Sequence, residues 1–192
     1  MTTTTAVGWA LWRARWFIWW RREDRALAVV QAALRQHPND AQLLAYEAHL
    51  LAELQRPREA LAVLARLVQV APDGAAHWFN QGFLQERLGE LDAAEASFRQ
   101  ALTLDERLDR AWYGLGLVLM RLGRLDEALA ALRRNTELQP MSPYAWYQMA
   151  RIHADRAEAE EAVRIIRHLQ GFEPRVAAQL ERETGLRAAQ TA

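Results

Sequence analysis

The chain repeats itself at an interval of 34 residues. Alanine recurs on this interval at Ala26, Ala60, Ala94, Ala128 and Ala162. Proline recurs at Pro38, Pro72, Pro140 and Pro174, with Glu106 at the remaining site. Two further columns are Trp78, Trp112 and Trp146, and the small residues Ala48, Gly82, Gly116 and Ala150. A fixed period of this length predicts stacked copies of one supersecondary unit that cannot bury its apolar face alone.

The pattern within each period predicts two helices. Between Asp109 and Pro140, the residues Trp112, Leu115, Gly116 and Leu119 recur at the spacing of one helical face. Gly123 then interrupts the pattern, and Ala128, Leu129 and Leu132 carry the apolar face of a second helix. Asp126 is expected to cap that second helix by accepting its unpaired N–H groups.

The columns of small residues predict close contact between the two helices of a unit. An isolated glycine inside a helix costs about 1 kcal/mol relative to alanine. Its recurrence at Gly82 and Gly116 therefore indicates a packing requirement, met from the other helix by the alanine column.

Trp112-x2-Leu115-Gly116, then Ala128-x3-Leu132, then Pro140 resembles the tetratricopeptide repeat. The resemblance covers residues 41–174 and the second helix of an earlier unit. It implies an all-α fold: a right-handed α-α superhelix, or solenoid, of about four to five helical hairpins with a C-terminal capping helix.

The repeat frame gives the predicted boundaries. Residues 1–6 are expected to be flexible, 7–40 to form a degenerate Trp-rich first repeat, and 175–192 to form a capping helix and tail. The four regular repeats are predicted at 41–74, 75–108, 109–142 and 143–174.

The stretch WALWRARWFIWWRR contains five of the eight tryptophans. In a helix, Trp9, Trp12, Trp16, Trp19 and Trp20 fall within an arc of about 100°. Three interpretations stay open: the arc is covered by the chain itself, it docks a partner or a second copy of the chain, or it attaches peripherally to a membrane. Residues 1–37 carry six arginines against Glu23 and Asp24, a net charge of +4, which suits the last interpretation.

Composition and motifs exclude several classes of protein. The net charge is zero, which argues against nucleic-acid binding, and no cysteine is present. The histidines show no metal-binding spacing, and no phosphate loop or nucleophile elbow occurs, so neither catalysis nor a metal or other cofactor is expected. A signal peptide and a spanning helix are not indicated, and the use of arginine alone as the basic residue favours a bacterial host. The expected location is cytoplasmic, with membrane association left open.

The resemblance also implies a partner-binding site. In tetratricopeptide proteins the first helices of successive units line a concave groove that receives a peptide or helix. The corresponding residues here are Phe79, Asn80, Phe83, Arg87, Arg110, Tyr113, Met120, Arg121, Tyr144, Tyr147 and Arg151. Rings offer apolar area and arginine binds carboxylates, so the expected partner segment carries aromatic or aliphatic anchors and acidic residues. The chain is therefore predicted to be a non-enzymatic adaptor, with assembly or membrane recruitment through the Trp-rich helix as the alternative.

Overall fold

The computed structural model describes the backbone of residues 3–187 and the side chains from residue 6 onward. The described residues form eleven α-helices and no strand. They belong to two compact units, Met1–Asp105 and Glu106–Ala192. Residues 1–2 of the predicted flexible N-terminus and residues 188–192 of the predicted C-terminal tail lie outside the described residues.

The first unit contains three helical hairpins. Its helices are α1 (Thr3–Trp19), α2 (Glu23–Gln36), α3 (Ala41–Glu53), α4 (Pro57–Val70), α5 (Ala75–Leu88) and α6 (Leu91–Leu104). Each helix packs against its neighbours in sequence, and α1 also reaches α3. The first repeat was predicted to begin at residue 7, but α1 begins earlier and includes Thr3 to Ala6.

The second unit contains two hairpins and a closing helix. Its helices are α7 (Asp109–Arg121), α8 (Leu125–Leu138), α9 (Pro143–Asp155), α10 (Ala159–Gln170) and α11 (Pro174–Thr184). Helix α11 packs against both α9 and α10, and it buries Ala177 and Leu180 there. The first helix of a hairpin begins at Ala41, Ala75, Asp109 and Pro143, the residues at which the regular repeats were predicted to begin.

The alanine column lies at the helix crossings. All five of its members are completely buried: Ala26, Ala60, Ala94, Ala128 and Ala162. A Cβ at Gly116 would stand 2.8 Å from Cγ of Leu132, and one at Gly82 would stand 3.0 Å from Cδ1 of Phe98. The small residues therefore allow the close approach that their recurrence predicted.

The tryptophan column joins helices α5, α7 and α9 to the turn before each of them. The indole N–H groups of Trp78, Trp112 and Trp146 donate to the carbonyl oxygens of Pro72, Glu106 and Pro140 at 2.7, 2.8 and 2.9 Å. The acceptor is a backbone atom, so the bond persists where glutamate replaces proline. This hydrogen bond explains why tryptophan occurs at a constant spacing after the proline or glutamate of each of these repeats.

Asp126 does not cap helix α8. The N-cap residue is Arg124, which makes no capping hydrogen bond through its side chain, and Asp126 lies in the first helical turn. Its Oδ1 instead accepts a hydrogen bond from Nη1 of Arg156 at 2.7 Å. This contact lowers the pKa of Asp126 and links the turns of two neighbouring hairpins.

The turn inside every hairpin contains one residue in the left-handed conformation. These residues again lie 34 apart, with φ values of 52°, 57°, 82°, 75° and 59° at Arg21, Gln55, Gly89, Gly123 and Ala157. Only glycine adopts this conformation without a steric cost from Cβ.

We expect Ala157→Gly to stabilise the protein by about 0.5–1 kcal/mol, because it removes the strain of a Cβ at positive φ. The matched change Ala130→Gly lies on an exposed face inside α8 and should destabilise by about 1 kcal/mol. Urea unfolding of both variants measures the two effects. A loss of stability with Ala157→Gly would contradict the expectation.

Candidate functional site

The first unit brings part of the predicted groove together around a cavity of about 260 Å³. Asn80, Phe83 and Arg87 of α5 line one side of it, and Ala45 and His49 of α3 line another. The ring of Phe83 is 46% exposed although it is large and apolar. The Arg87 guanidinium lies 5.8 Å from the centre of that ring, close enough for a cation–π contact.

Phe79 lies deeper than its neighbour. Its ring stacks on Phe83 with the centroids 6.4 Å apart and also lies 5.9 Å from the ring of Phe98. Phe98 is 1% exposed and belongs to the core of the same hairpin. Phe79 therefore links the exposed Phe83 to the core and holds it in place.

The second unit surrounds a cavity of about 290 Å³ with aromatic rings. Tyr113 of α7 and Tyr144 of α9 face each other with their centroids 6.4 Å apart. Tyr147 and Gln148 of α9 complete that side. Burial raises the pKa of the Tyr113 phenol, while its hydrogen bond with Gln148 opposes that effect. The phenol therefore stays neutral in ordinary buffers and can donate or accept hydrogen bonds.

Helix α11 forms the remaining wall of this cavity. Val176 and Gln179 of α11 face the tyrosines. Tyr147 donates a hydrogen bond of 2.5 Å to Oε2 of Glu183, and this bond together with burial raises the pKa of Tyr147. The hydrogen bonds from Tyr147 and Gln179 lower the pKa of Glu183, and the Arg151 charge adds to this effect. The Arg151 guanidinium lies 5.9 Å from the centre of the Tyr147 ring.

The remaining predicted groove residues lie on α7 of the same unit. Arg110 and Arg121 are exposed and both make contacts within the protein, while Met120 is half-buried. None of the three lines the tyrosine cavity. Of the predicted set, the structure thus gathers three residues around the cavity of the first unit and three around that of the second.

The N-terminal tryptophans belong to α1 of the first unit, and none of them lines either cavity. Their exposed fractions are 58% for Trp9, 60% for Trp12, 53% for Trp16, 82% for Trp19 and 59% for Trp20. The opposite side of α1 is buried through Val7, Ala10 and Ala14, which pack on α2 and α3. Helix α1 therefore presents its tryptophans outward, and the chain described by the structure does not cover them.

Within residues 3–187, no group of three or more histidine and acidic residues is placed to hold a metal ion. Across the same residues, no helix combines the length and apolar character needed to cross a bilayer.

Comparison with known proteins identifies the family. The family model described as Tetratricopeptide repeat matches residues 46–109, 87–134 and 113–171. The chain belongs to the tetratricopeptide repeat family. This family typically serves protein–protein interaction without catalysis. No curated protein matches the chain over its sequence.

Solved tetratricopeptide structures share the fold. A MamA protein aligns with a TM-score of 0.80 at 19% identity over 97% of each chain. YrrB, described as a TPR protein with an unusual peptide-binding site, aligns with a TM-score of 0.79 at 19% identity over 95% of this chain and 98% of its own. A tetratricopeptide repeat protein from Parabacteroides merdae aligns with a TM-score of 0.82 at 20% identity over 94% of this chain and 74% of its own. The predicted fold class, an all-α tetratricopeptide solenoid, is confirmed.

The recurring residues did not predict that α11 contributes to the cavity of the second unit. Val176, Gln179 and Glu183 were expected only to cover the last repeat, yet they lie beside the tyrosines or bond to them. A signal was present, because Pro174 continues the proline column and a further first helix is expected after it. That helix would place its own side chains beside those of α9.

Proposed function

We propose that this chain is a non-enzymatic adaptor that binds a peptide or helix of a partner protein on the surfaces formed by the first helices of its hairpins. Family membership supports the general role in protein interaction. The observation that carries the finer proposal is the tyrosine cavity of the second unit, where Tyr113, Tyr144 and Tyr147 surround a volume of about 290 Å³. A bacterial, cytoplasmic setting remains part of the proposal.

The chemistry of the tyrosine cavity favours a segment with an apolar or aromatic anchor. Tyr144 is 67% exposed, so its ring is available to cover an incoming side chain. Gln148 and Gln179 offer amide groups that can bond to the backbone of an extended segment. Tyrosine supplies this area at low cost in side-chain entropy, which is why it is common at the centres of interfaces.

The cavity of the first unit favours an acidic residue next to an apolar one. Phe83 is exposed and Arg87 lies against it, so an anchor on the ring would leave a neighbouring carboxylate close to the guanidinium. Arginine binds carboxylates through two parallel hydrogen bonds. YrrB, which has the same fold, is described as having a peptide-binding site, and this supports a peptide as the kind of partner.

The test measures partner capture by two double variants, Tyr113→Ala with Tyr144→Ala and Phe83→Ala with Arg87→Ala. Partners retained by the wild-type protein are identified, and the affinity of the bound segment is then measured by calorimetry. Each double variant should weaken binding by about 2 kcal/mol or more, roughly thirtyfold, as expected when a buried anchor is lost.

The control for this test is the pair Leu104→Ala and Met141→Ala. Both residues are large, apolar and exposed, and neither lines a cavity described above. These changes should leave the affinity unaltered. Equal capture by the control and both cavity variants would refute the proposal.

The exposed tryptophans of α1 support a second docking role, in self-association or membrane contact. They form the largest group of exposed aromatic rings in the part of the chain that the structure describes. A large exposed apolar patch on a soluble domain marks an interaction site.

A further inference from the structure

The outward side of α1, here called the Trp surface, consists of Trp9, Trp12, Trp16, Trp19 and Trp20. Its rings form a continuous row, since Trp12 and Trp16 lie 6.1 Å apart and Trp16 and Trp20 lie 6.3 Å apart. The apolar area continues past Trp9 into a recess of about 440 Å³ between α1 and α2. That recess is lined mainly by alanine and Val29.

The Trp surface differs from the tryptophan column of the repeats. Trp78, Trp112 and Trp146 each donate their indole N–H to a carbonyl of their own repeat. Within residues 3–187, the structure shows no such hydrogen bond for the five tryptophans of the Trp surface. These five tryptophans are between 53% and 82% exposed, and tryptophan, with an apolar ring and a polar N–H, is suited to a boundary between apolar and wet phases.

The helix that carries the Trp surface is held firmly from behind. Val7, Ala10 and Ala14 are at most 7% exposed and belong to the core of the first unit. At about 100° per residue they point away from the tryptophans. The Trp surface is thus the outer side of a packed helix and can meet a flat partner without unfolding.

Positive charge surrounds the Trp surface. Helix α1 contains no acidic residue. In its helical projection Arg13 and Arg15 lie on the two edges of the tryptophan arc, and the Arg13 guanidinium is 4.6 Å from the centre of the Trp9 ring. Arg21 and Arg22 follow at the end of the helix and are exposed.

The charge of the N-terminal segment contrasts with that of the remaining chain. Residues 1–37 carry a net charge of +4, and the whole chain is neutral, so residues 38–192 carry −4. An anionic surface would therefore attract the N-terminal segment and repel the rest. This asymmetry favours binding with α1 facing the surface.

We propose that the Trp surface binds the headgroup layer of an anionic phospholipid bilayer, with α1 lying parallel to the membrane plane. The inference rests on the second docking role proposed above and is independent of the tyrosine cavity. Tryptophan rings prefer the interface between headgroups and acyl chains, and arginines bind the phosphates beside them. A bilayer is flat on this scale, so it can contact the whole row of rings at once.

A second copy of the chain fits the Trp surface less well. In a dimer with twofold symmetry, α1 would pack against α1 of the partner, because the same patch is used on both sides. The four arginines at residues 13, 15, 21 and 22 would then face their own copies without an acidic residue from α1 to pair with them. Like charges placed across an interface oppose association.

The test is flotation of the full chain with vesicles of phosphatidylglycerol and phosphatidylcholine, compared with vesicles of phosphatidylcholine alone. The wild-type protein should float with the anionic vesicles, and its binding to the neutral vesicles should be at least about tenfold weaker, because the arginine contribution is lost. Added salt should weaken the binding to the anionic vesicles.

Two triple variants separate the contribution of the rings to vesicle binding from that of the charges. Trp12→Gln, Trp16→Gln and Trp19→Gln should lower the partition coefficient at least about tenfold. Arg15→Gln, Arg21→Gln and Arg22→Gln should lower it on the order of a hundredfold on anionic vesicles. All six residues are exposed, and unchanged circular dichroism will verify that the fold is intact.

Each variant has a matched control elsewhere on the chain. Val70→Gln, Leu104→Gln and Met141→Gln remove three exposed apolar side chains, and Arg58→Gln, Arg133→Gln and Arg175→Gln remove three exposed charges. Both controls should keep at least half of the wild-type binding. The double variant Tyr113→Ala with Tyr144→Ala should bind vesicles as the wild type does, so that a failed lipid test does not affect the partner-binding proposal.

Three outcomes would overturn the lipid proposal. The first is that the wild-type protein does not float with anionic vesicles. The second is that it binds neutral vesicles as tightly as anionic ones. The third is that either triple variant binds anionic vesicles as tightly as the wild type does. Light scattering adds a further one. A wild-type mass above that of the monomer, which falls to the monomer mass in the tryptophan variant, would assign the Trp surface to self-association instead.

Discussion

Phe98→Ala is expected to destabilise the protein by about 3–5 kcal/mol, the usual cost of removing a buried phenylalanine ring. The ring is 1% exposed and fills the space between α5 and α6 of the first unit. It contacts Phe79 at a centroid distance of 5.9 Å, and it lies against Gly82, where no side chain can fill the gap. Chemical denaturation followed by circular dichroism measures the loss.

The control for this variant is Phe83→Ala in the same hairpin. Phe83 is 46% exposed, so its removal should cost less than about 1 kcal/mol. A loss for Phe98→Ala no greater than that for Phe83→Ala would show that the ring does not hold the hairpin together.

A second change tests why Gly82 is glycine. In the wild-type protein a Cβ at this position would lie 3.0 Å from Cδ1 of Phe98, so Gly82→Ala should gain little or lose stability. In the Phe98→Ala background the obstacle is gone. Gly82→Ala should then stabilise by up to about 1 kcal/mol through helix propensity. Equal effects of Gly82→Ala in the two backgrounds would contradict the packing explanation.

Gln31→Leu is expected to destabilise the protein by about 2–3 kcal/mol. Glu47 occupies the position where Leu115 stands in the regular repeat, and it is only 7% exposed. Its Oε1 accepts a hydrogen bond of 2.9 Å from Nε2 of Gln31 on α2. Removing the donor leaves a buried carboxyl group without this partner, which costs more than the bond itself contributes.

The double variant Gln31→Leu with Glu47→Leu should recover most of this loss. It replaces both polar groups with apolar ones and restores the residue type that the repeat has at position 47. Thermal unfolding of both single variants and the double variant gives the coupling between the two residues. Additive effects would show that the hydrogen bond contributes nothing specific.

Much of the fold could be predicted from the sequence, because the repeat unit is local. The columns at Ala128, Gly116 and Trp112 recur within one hairpin, and the contacts they make in the structure are also within that hairpin or with the turn before it. A helix boundary depends on residues a few positions away, so the predicted repeat starts coincide with helix starts. The capping role expected of Asp126 was wrong, because Arg156 from the next hairpin binds that carboxylate.

Less of the candidate site could be predicted. The resemblance to tetratricopeptide repeats selected Tyr113, Tyr144 and Tyr147, but it did not show that α11 would complete the cavity and bond to Tyr147 through Glu183. Helix α11 departs from the repeat spacing, since it begins at Pro174 itself. Its position is decided by burial of Ala177 and Leu180 against the last hairpin.

The sequence by itself determined the helical hairpins, their order and the 34-residue spacing of their contacts, because helix formation and packing within a hairpin depend on nearby residues. It did not decide whether the tryptophan arc of α1 is covered by the chain itself or left free for a partner or a membrane. Only the tertiary structure decided this. Val7, Ala10 and Ala14 are small enough to let α1 approach α2 and α3, and five indole rings are too bulky for that interface and remain in solvent.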